Sequence, residues 1–417
     1  MNGSLPPLPK GFTYRLDLAR AATSRLLKQR PVHRWFYFPH SYSPELVEAI
    51  LDTWELQTGS HIVDPFVGAG TTLLVASDRG YNGLGLDLLP LAVLVSNVKV
   101  ANHDPQAIQT ALSTVLNVVQ SSRECPKEIP TRLARALTEA EYTLFWRLRQ
   151  AILRFDEPVR GFMLVGSVNI LPQFSRAVAD GGWFRWVEKP EQAGLILPAF
   201  RSKVQQMLDE IEEVKSAKYS CEQLNQTMAV QHDARCIHLL ERTFDGLITS
   251  PPYPNRHDYT RVFQIELLAL GHSEDSIFQL RHNSLRSHVE AYPPDGVPII
   301  EGYHMPEALQ ACLDKMPSDV DQRILRMLRG YFEDMYLVLC SAKQSMKPEG
   351  KLALVVGNVR HAGVLVPVDE ILATVGKMAG LYWTETWVIR LRGNSAQQMR
   401  KYGRVPSRES IVFFNSP

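Results

Sequence analysis

Apolar and polar positions in the first hundred residues alternate between helical and strand spacing. Helical spacing predicts a helix over 43–56, and a short apolar run predicts a strand at His61–Asp64. A glycine turn and a helix over 71–80 follow, and a second strand is predicted at Asn82–Asp87. Because a strand, turn, helix and strand in this order begin a doubly wound parallel sheet, we expect an α/β protein.

Longer-range changes in this pattern divide the chain. We interpret 102–226 as a helical insert, because its spacing is mostly helical, and 275–321 as a second, irregular insert rich in Pro, His and Arg. The α/β domain then comprises 41–101 and 227–417, preceded by a basic segment at 1–40. This domain contains about seven strands. Its remaining strands are predicted at 228–231, 246–248, 352–356, 387–391 and 410–414, and its later helices at 324–346 and 368–379.

Composition excludes several classes of protein. Hydrophobic residues make up 45% of the 417 residues and charged residues 21%, which is typical of a globular chain and not of a disordered one. Lys and Arg total 45 against 44 Asp and Glu, so any nucleic-acid binding must use local basic stretches. The five cysteines form no CxxC pair, which argues against a disulfide framework or a four-cysteine zinc site, and we expect no metal. No apolar run approaches the roughly 20 residues of a membrane span, so we expect a cytoplasmic protein without a membrane partner.

Three acidic residues lie at or just after the ends of three predicted strands. Asp64 opens the string DPFVGAGTT, in which Gly68 and Gly70 let the backbone approach a ligand closely. This string is neither the GxGxxG fingerprint nor a Walker motif. Asp87 ends the next strand, where an acidic residue commonly holds a ribose diol, although it could also cap a helix. Asp233 follows the third strand and could accept a hydrogen bond from an adenine amino group or occupy an ordinary turn.

The string TSPPY directly follows the strand predicted at 246–248. Two consecutive prolines, Pro251 and Pro252, fix an extended backbone and remove two N–H donors. The Pro251 carbonyl and the Ser250 hydroxyl can then accept both hydrogens of an amino group, while Tyr253 stacks on the ring that carries it. The alternative is a rigid proline turn without a ligand. The pattern favours a site for a planar ligand that bears an NH₂ group.

Together, these strings resemble those of the S-adenosylmethionine-dependent amino-methyltransferases of DNA, which have a class I methyltransferase fold. DPFxGxGTT is similar to the methionine-binding motif of this family, and TSPPY to its catalytic motif in the form usual for N4-cytosine enzymes. The adenine enzymes more often carry DPPY. The resemblance covers 45–100 and 228–415, and it implies a seven-stranded, mostly parallel sheet, S-adenosylmethionine as cofactor and DNA as substrate.

The resemblance also implies roles for individual residues. Asp64 would hold the amino group of the cofactor, Asp87 its ribose and Asp233 its adenine. The target base would leave the duplex, and its amine would attack the methyl group in line without a covalent enzyme intermediate. The implied cofactor pocket also includes Phe66, Gly68, Gly70 and Thr71, and the implied catalytic residues are Ser250, Pro251, Pro252 and Tyr253.

The chain also departs from the family pattern. The DPFVGAGTT string, which we call the cofactor string, precedes the TSPPY string, which we call the catalytic string. Many TSPPY enzymes have the opposite order. Only 16 residues lead from Asp233 to Thr249, so no target-recognition domain fits between them, and the chain ends soon after the last predicted strand. We therefore expect recognition of the target to come from 102–226, from 275–321 or from a partner.

Basic residues cluster close to the catalytic string and before the last strand. Arginines are suited to binding phosphates, so these clusters favour DNA binding, although each arginine could also lie on an ordinary solvated surface. An aromatic cluster at Trp183–Trp186 is first interpreted as a small core of the insert, and a base-stacking wedge is the alternative. The residues expected to bind DNA are Arg256, Arg261, Arg392, Arg400, Lys401 and Arg404, the last three in a loop at 393–406.

Several functions remain open at this stage. An N4-cytosine DNA methyltransferase is the leading hypothesis, and an N6-adenine enzyme is the closest alternative because Ser250 can accept from either amine. An RNA methyltransferase and a non-catalytic subunit that binds cofactor or DNA are further alternatives. The complete TSPPY string argues against the non-catalytic subunit, which would not need acceptors for an amine. A protein of a restriction or defence system is a further candidate partner.

Overall fold

The computed structural model describes residues 5–180, 183–217, 226–291, 300–393 and 406–417. Strands and helices alternate in it along much of the chain. The strands are β1 (Phe12–Tyr14), β2 (His61–Asp64), β3 (Asn82–Asp87), β4 (Ala177–Asp180), β5 (Trp183–Trp186), β6 (Thr227–Gln231), β7 (Phe244–Thr249), β8 (Met346–Gly357), β9 (Val359–His361), β10 (Val364–Val366), β11 (Tyr382–Arg392) and β12 (Ser407–Asn415). The helices are α1 (Pro44–Leu51), α2 (Thr71–Asp78), α3 (Pro90–Val100), α4 (Pro105–Ser121), α5 (Thr131–Ala136), α6 (Glu139–Ile152), α7 (Val159–Phe174), α8 (Ile196–Ala217), α9 (Tyr259–Val262), α10 (Gln264–Ala269), α11 (Glu274–Asn283), α12 (Glu307–Asp314), α13 (Gln322–Ser345) and α14 (Val368–Met378).

The central sheet has the order β1-β11-β12-β8-β7-β2-β3-β6. β12 runs antiparallel to both of its neighbours, whereas β7, β2, β3 and β6 pair in parallel with one another and β7 with β8. The predicted class is confirmed: this is an α/β protein with a mostly parallel central sheet. The number of strands differs, because the described residues form eight strands in this sheet and not seven. The additional strand, β1, comes from the N-terminal segment and pairs with β11.

The sheet is buried on both faces, which explains why its strands are apolar without alternation. Side chains of successive residues point to opposite faces of a strand. Ile62 therefore packs with α1 on one face, and the next residue, Val63, packs with α13 and α14 on the other. The 275–321 stretch, predicted to be irregular, contributes helices α11 and α12.

The helices α4 to α8 form a second core beside the sheet. Their buried side chains form one cluster with residues of α3 and α10. Phe184 and Trp186 of the β4–β5 hairpin pack against this cluster, and the Arg135 guanidinium lies 3.9 Å from the ring centroid of Trp186. For these two rings, the structure supports the interpretation as a core of the insert.

The basic N-terminal segment is packed against this second core. Glu210 of α8 is buried and accepts hydrogen bonds from the Val32 N–H, the Arg34 Nε and the Trp35 Nε1, at 2.8, 2.6 and 3.0 Å. Arg30 forms a further ion pair with Glu45. Arginines 30 and 34 are thus partnered within the protein. Among the described helices, none is both long and apolar enough to cross a membrane.

Candidate active site

Four loops meet at one cavity at the carboxyl edge of the sheet. They follow β2, β3, β6 and β7, the parallel strands at whose ends ligands bind in open α/β sheets. The N-terminal segment and the region around α9 and α11 complete the wall. The residues predicted from the sequence that line this cavity are Phe66, Gly68, Thr71, Asp87, Asp233, Ser250 and Pro252.

The glycine turn after β2 requires its glycines. Gly68 and Gly70 have φ values of +47° and +76°, a region that other residues rarely adopt. A Cβ at Gly70 would also lie 2.9 Å from the Ser96 Oγ of α3. The Gly68 N–H donates to the Asp87 carboxylate at 3.1 Å, so the turn is tied to the end of β3.

Asp87 faces the cavity while its carboxylate holds two loops. One oxygen accepts from the Gly68 N–H and the other from the Leu89 N–H at 2.9 Å, next to the start of α3. The predicted ligand role and the alternative capping role are therefore compatible, because each carboxylate oxygen keeps a further lone pair. Burial disfavours the charged form and raises the pKa of Asp87 to about 6.

Asp64 lies beneath the cavity and is not among the described residues that line it. Its side chain is 1% exposed and accepts hydrogen bonds from the Thr249 Oγ1 at 2.6 Å, the Phe66 N–H at 3.1 Å and the Tyr42 hydroxyl at 3.3 Å. Burial, the largest influence, raises the pKa of Asp64 despite these donors. The hydrogen bond between Thr249 and Asp64 thus joins the first residue of TSPPY to the first residue of the cofactor string. The contact of Asp64 with a cofactor amino group remains a prediction.

The catalytic string forms part of the cavity wall and continues behind it. Ser250 and Pro252 line the cavity, and Pro251 between them is buried. Tyr253 is half-buried, and its hydroxyl lies 3.5 Å from the Ser250 Oγ and donates to Glu409 of β12 at 3.4 Å. Burial raises the pKa of Tyr253, so its hydroxyl stays protonated at neutral pH.

Gly357, at the end of β8, lies next to the Tyr253 ring. A Cβ at position 357 would lie 2.8 Å from the Cε2 atom of this ring, so only glycine fits there without movement. The Arg392 guanidinium lies 5.9 Å from the ring centroid. Sequence reasoning missed Gly357, because its contact with Tyr253 joins positions more than a hundred residues apart.

Asp233 faces the cavity in a fixed orientation. Its two carboxylate oxygens are bound by the Arg235 side chain, with a shortest distance of 2.7 Å, and Arg235 also approaches Asp334 at 3.4 Å. Asp233 further caps the short turn that follows β6 by accepting from the Arg235 N–H at 2.9 Å. The alternative turn role is therefore also present, and lone pairs remain for a ligand.

The N-terminal segment supplies a wall that sequence reasoning missed. Phe38, His40, Ser41 and Tyr42 all line the cavity. The buried Lys99 of α3 connects this segment to the glycine turn, because its Nζ donates to the carbonyls of Phe36 at 3.2 Å and Ala69 at 2.9 Å. The first forty residues were predicted only as a basic segment, and nothing local in them indicated a contact with the cavity.

The arginines predicted to bind DNA have different environments. Arg261 forms ion pairs with Asp258, at 3.3 Å, and with Glu290, so its guanidinium is engaged within the protein. Arg256 is exposed and lies with Arg392 in a second cavity, which we call the basic cleft. The loop residues Arg400, Lys401 and Arg404 lie outside the described residues. The polar residues of the basic cleft include Asn255, Arg256, Asn358, Arg360, His361 and Arg392.

Comparisons with known proteins identify relatives along nearly the whole chain. No family model matches it. The chain is 26% identical to the type II methyltransferase M.BsoBI of Geobacillus stearothermophilus, over 94% of this chain and 86% of that protein. It is 27% identical to the type II methyltransferase M.AvaI of Anabaena variabilis, over 94% and 87%. A shorter match to the type II methyltransferase M.MjaII of Methanocaldococcus jannaschii has 34% identity over 26% of this chain and 20% of that protein. Across most of its length the chain is thus similar to type II methyltransferases.

Proposed function

We propose that the chain is a DNA methyltransferase that transfers a methyl group from S-adenosylmethionine to the exocyclic N4 amine of cytosine. The observation that carries this proposal is a shared wall: Ser250 and Pro252 of the catalytic string line the same cavity as Asp87 and Asp233. A site for an amine and a site for a nucleoside cofactor therefore adjoin. The similarity to type II methyltransferases supports DNA as the substrate.

The residues of the cavity fit S-adenosylmethionine. Asp87 and Asp233 present carboxylates to it, which suits a ligand with ribose hydroxyls, an adenine amino group and a positive sulfonium. Gly68 lines the cavity, and the positive φ values of Gly68 and Gly70 shape the turn to which it belongs. When bound, this cofactor would supply an electrophilic methyl group. The roles assigned are ribose binding for Asp87, adenine binding for Asp233 and binding of the amino group for Asp64.

The catalytic string prepares the amine for attack. The lone pair of a cytosine amine is delocalised into the ring, so the amine is a weak nucleophile. If the Ser250 hydroxyl and the Pro251 carbonyl accept its two hydrogens, they favour a more pyramidal nitrogen with a freer lone pair. Because these acceptors are fixed on a proline backbone anchored by Thr249, little reorganisation is needed during the transfer.

Tyr253 holds the extruded base by stacking. Extrusion of a base from the duplex costs a few kcal/mol, and stacking on an aromatic ring offsets about 1–3 kcal/mol of it. Glu409 and Gly357 fix the hydroxyl and one side of the Tyr253 ring. We assign recognition of the target sequence to the helical insert at 102–226.

The proposal is tested by identifying the methylated nucleoside. The purified chain is incubated with DNA and methyl-labelled S-adenosylmethionine, and the nucleosides are separated by mass spectrometry. We expect N4-methylcytosine from the wild type and far less of it from Ser250→Ala or Tyr253→Ala. N6-methyladenine would reassign the base, while 5-methylcytosine, or labelling of RNA alone, would contradict the proposal.

A further inference from the structure

The basic cleft is a second cavity next to the catalytic string. The catalytic loop after β7 contributes Asn255 and Arg256 to it, the β9–β10 hairpin contributes Arg360 and His361, and β11 ends there at Arg392. None of the described residues that line it also lines the first cavity. The same loop, 250–256, therefore contributes to two separate cavities.

The charged residues that line the two cavities differ in sign. Three aspartates, Asp87, Asp233 and Asp258, line the first cavity. The described lining of the basic cleft contains three arginines and no Asp or Glu. A cavity with carboxylates suits a cationic sulfonium, and a cleft with several guanidiniums suits an oxyanion.

A buried amide in the basic cleft indicates that a ligand belongs there. Asn358 is 2% exposed, and its Oδ1 accepts from the Asp369 N–H at 3.1 Å. Its Nδ2 has no hydrogen-bond partner in the described part of the chain. Because a buried donor without an acceptor is unfavourable, this position is better explained by a bound oxygen than by packing alone.

The cleft is also connected to the catalytic loop. His361 donates from Nε2 to the Pro254 carbonyl at 2.7 Å, which fixes the β9–β10 hairpin against the residue after Tyr253. Arg360 in the same hairpin donates to the Gly363 carbonyl at 2.7 Å, and this contact orients its guanidinium. A ligand bound in the cleft is therefore held at a fixed position relative to Tyr253.

We propose that the basic cleft binds a phosphate of the DNA backbone beside the base that Tyr253 engages, an inference that rests on the proposed function. Three guanidiniums exceed what a neutral base requires but match an anionic phosphate. Asn358 supplies a neutral donor, and Arg256, Arg360 and Arg392 supply the charge. The cleft thereby sets the position of the strand, and the catalytic loop acts on the base next to it.

The experiment compares DNA binding by two arginine variants of the full chain. Arg360→Gln removes a charge from the cleft, and Arg79→Gln removes one beyond α2, where Arg79 pairs with Asp52 before the start of β3. Affinity for a fluorescent duplex is measured over a range of salt concentrations. We expect the slope of log affinity against log salt to become flatter by about 0.9 in Arg360→Gln, the value for one phosphate contact, and to be unchanged in Arg79→Gln.

A neutral variant and a second duplex complete the test. Asn358→Ala is expected to lower DNA affinity about tenfold with an unchanged salt slope, because it removes a hydrogen bond and no charge. Arg360→Gln is expected to lower the affinity for DNA by the same factor on duplexes of different sequence, since a phosphate carries no sequence information. A loss confined to one sequence, or a wild-type slope in Arg360→Gln, would overturn the proposal. A wild type that neither binds nor methylates DNA would instead refute the proposed function.

Discussion

The hydrogen bond between Thr249 and Asp64 joins the catalytic and cofactor strings, and its removal has a calculable effect. Thr249 is completely buried, Asp64 is 1% exposed, and the Oγ1 to Oδ1 distance is 2.6 Å. Thr249→Val replaces the hydroxyl with a methyl group of similar size. The change therefore removes the donor and leaves the packing of β7 almost unaltered.

The expected loss of stability follows from the state of the carboxylate. A buried hydrogen bond to a charged group contributes about 1.5–3 kcal/mol, and we expect Thr249→Val to lower the free energy of unfolding by this amount at neutral pH. Burial already raises the pKa of Asp64, and loss of the donor raises it further. A protonated Asp64 is stabilised less by the Thr249 hydroxyl than a charged one. The difference in unfolding free energy between the wild type and Thr249→Val should therefore narrow as the pH falls through the pKa of Asp64.

Chemical denaturation at several pH values measures this difference. Thr249→Ser keeps the hydroxyl and should lose much less stability, which separates the hydrogen bond from the packing of the methyl group. Because Ser250 follows Thr249 directly, we also expect the turnover of methyl transfer to fall about 10–100-fold in the valine variant. Equal unfolding free energies of Thr249→Val and wild type at neutral pH would refute the reasoning.

Three further predictions concern the cavity and the catalytic ring. Cofactor affinity should fall about tenfold for each pH unit below the Asp87 pKa of about 6, because ribose hydroxyls donate to the charged carboxylate. Calorimetry should find that the affinity of Asp87→Asn does not change with pH. A wild-type affinity that is independent of pH would contradict this role. Gly357→Ala should lower turnover about tenfold with cofactor affinity retained, since its Cβ displaces the Tyr253 ring, and unchanged turnover would show that the ring can adjust. Tyr253→Ala should lower methyl transfer about 100-fold and Tyr253→Phe much less, because stacking needs the ring and not the hydroxyl; full activity of the alanine variant would exclude this site.

The parallel core of the fold could be predicted from the sequence because its signals are local. The strands His61–Asp64 and Asn82–Asp87 have the predicted bounds, as both are short apolar runs ending in aspartate. The helix predicted over 43–56 ends earlier, at Leu51, because residues 52–55 form turns and Glu55 adopts a φ of +48°, which is not helical. The strings DPFVGAGTT and TSPPY were correctly placed at strand ends, so the part of the cavity wall that these two strings form was predictable.

The remaining features depend on contacts between distant positions. The pairing of Phe12–Tyr14 with β11 joins residues more than three hundred positions apart, and a three-residue strand has too little pattern to be detected alone. Arg261 was predicted to bind DNA because it is basic and lies beside the catalytic string. The fold instead places it in ion pairs with Asp258 and Glu290. Charge clusters in a sequence do not indicate whether acidic partners lie opposite them.

The attachment of the N-terminal segment has a mechanical consequence. Glu210 of the insert forms hydrogen bonds with residues 32–35. Lys99 of α3 forms hydrogen bonds with Phe36 and with the glycine turn. The segment then runs directly into the cavity wall at Phe38 and His40. The segment therefore connects the insert mechanically to the glycine turn. A tilt of the insert against the sheet would strain this segment or break its hydrogen bonds with Glu210. Movement of the insert on a bound partner would therefore be transmitted along this segment to the glycine turn.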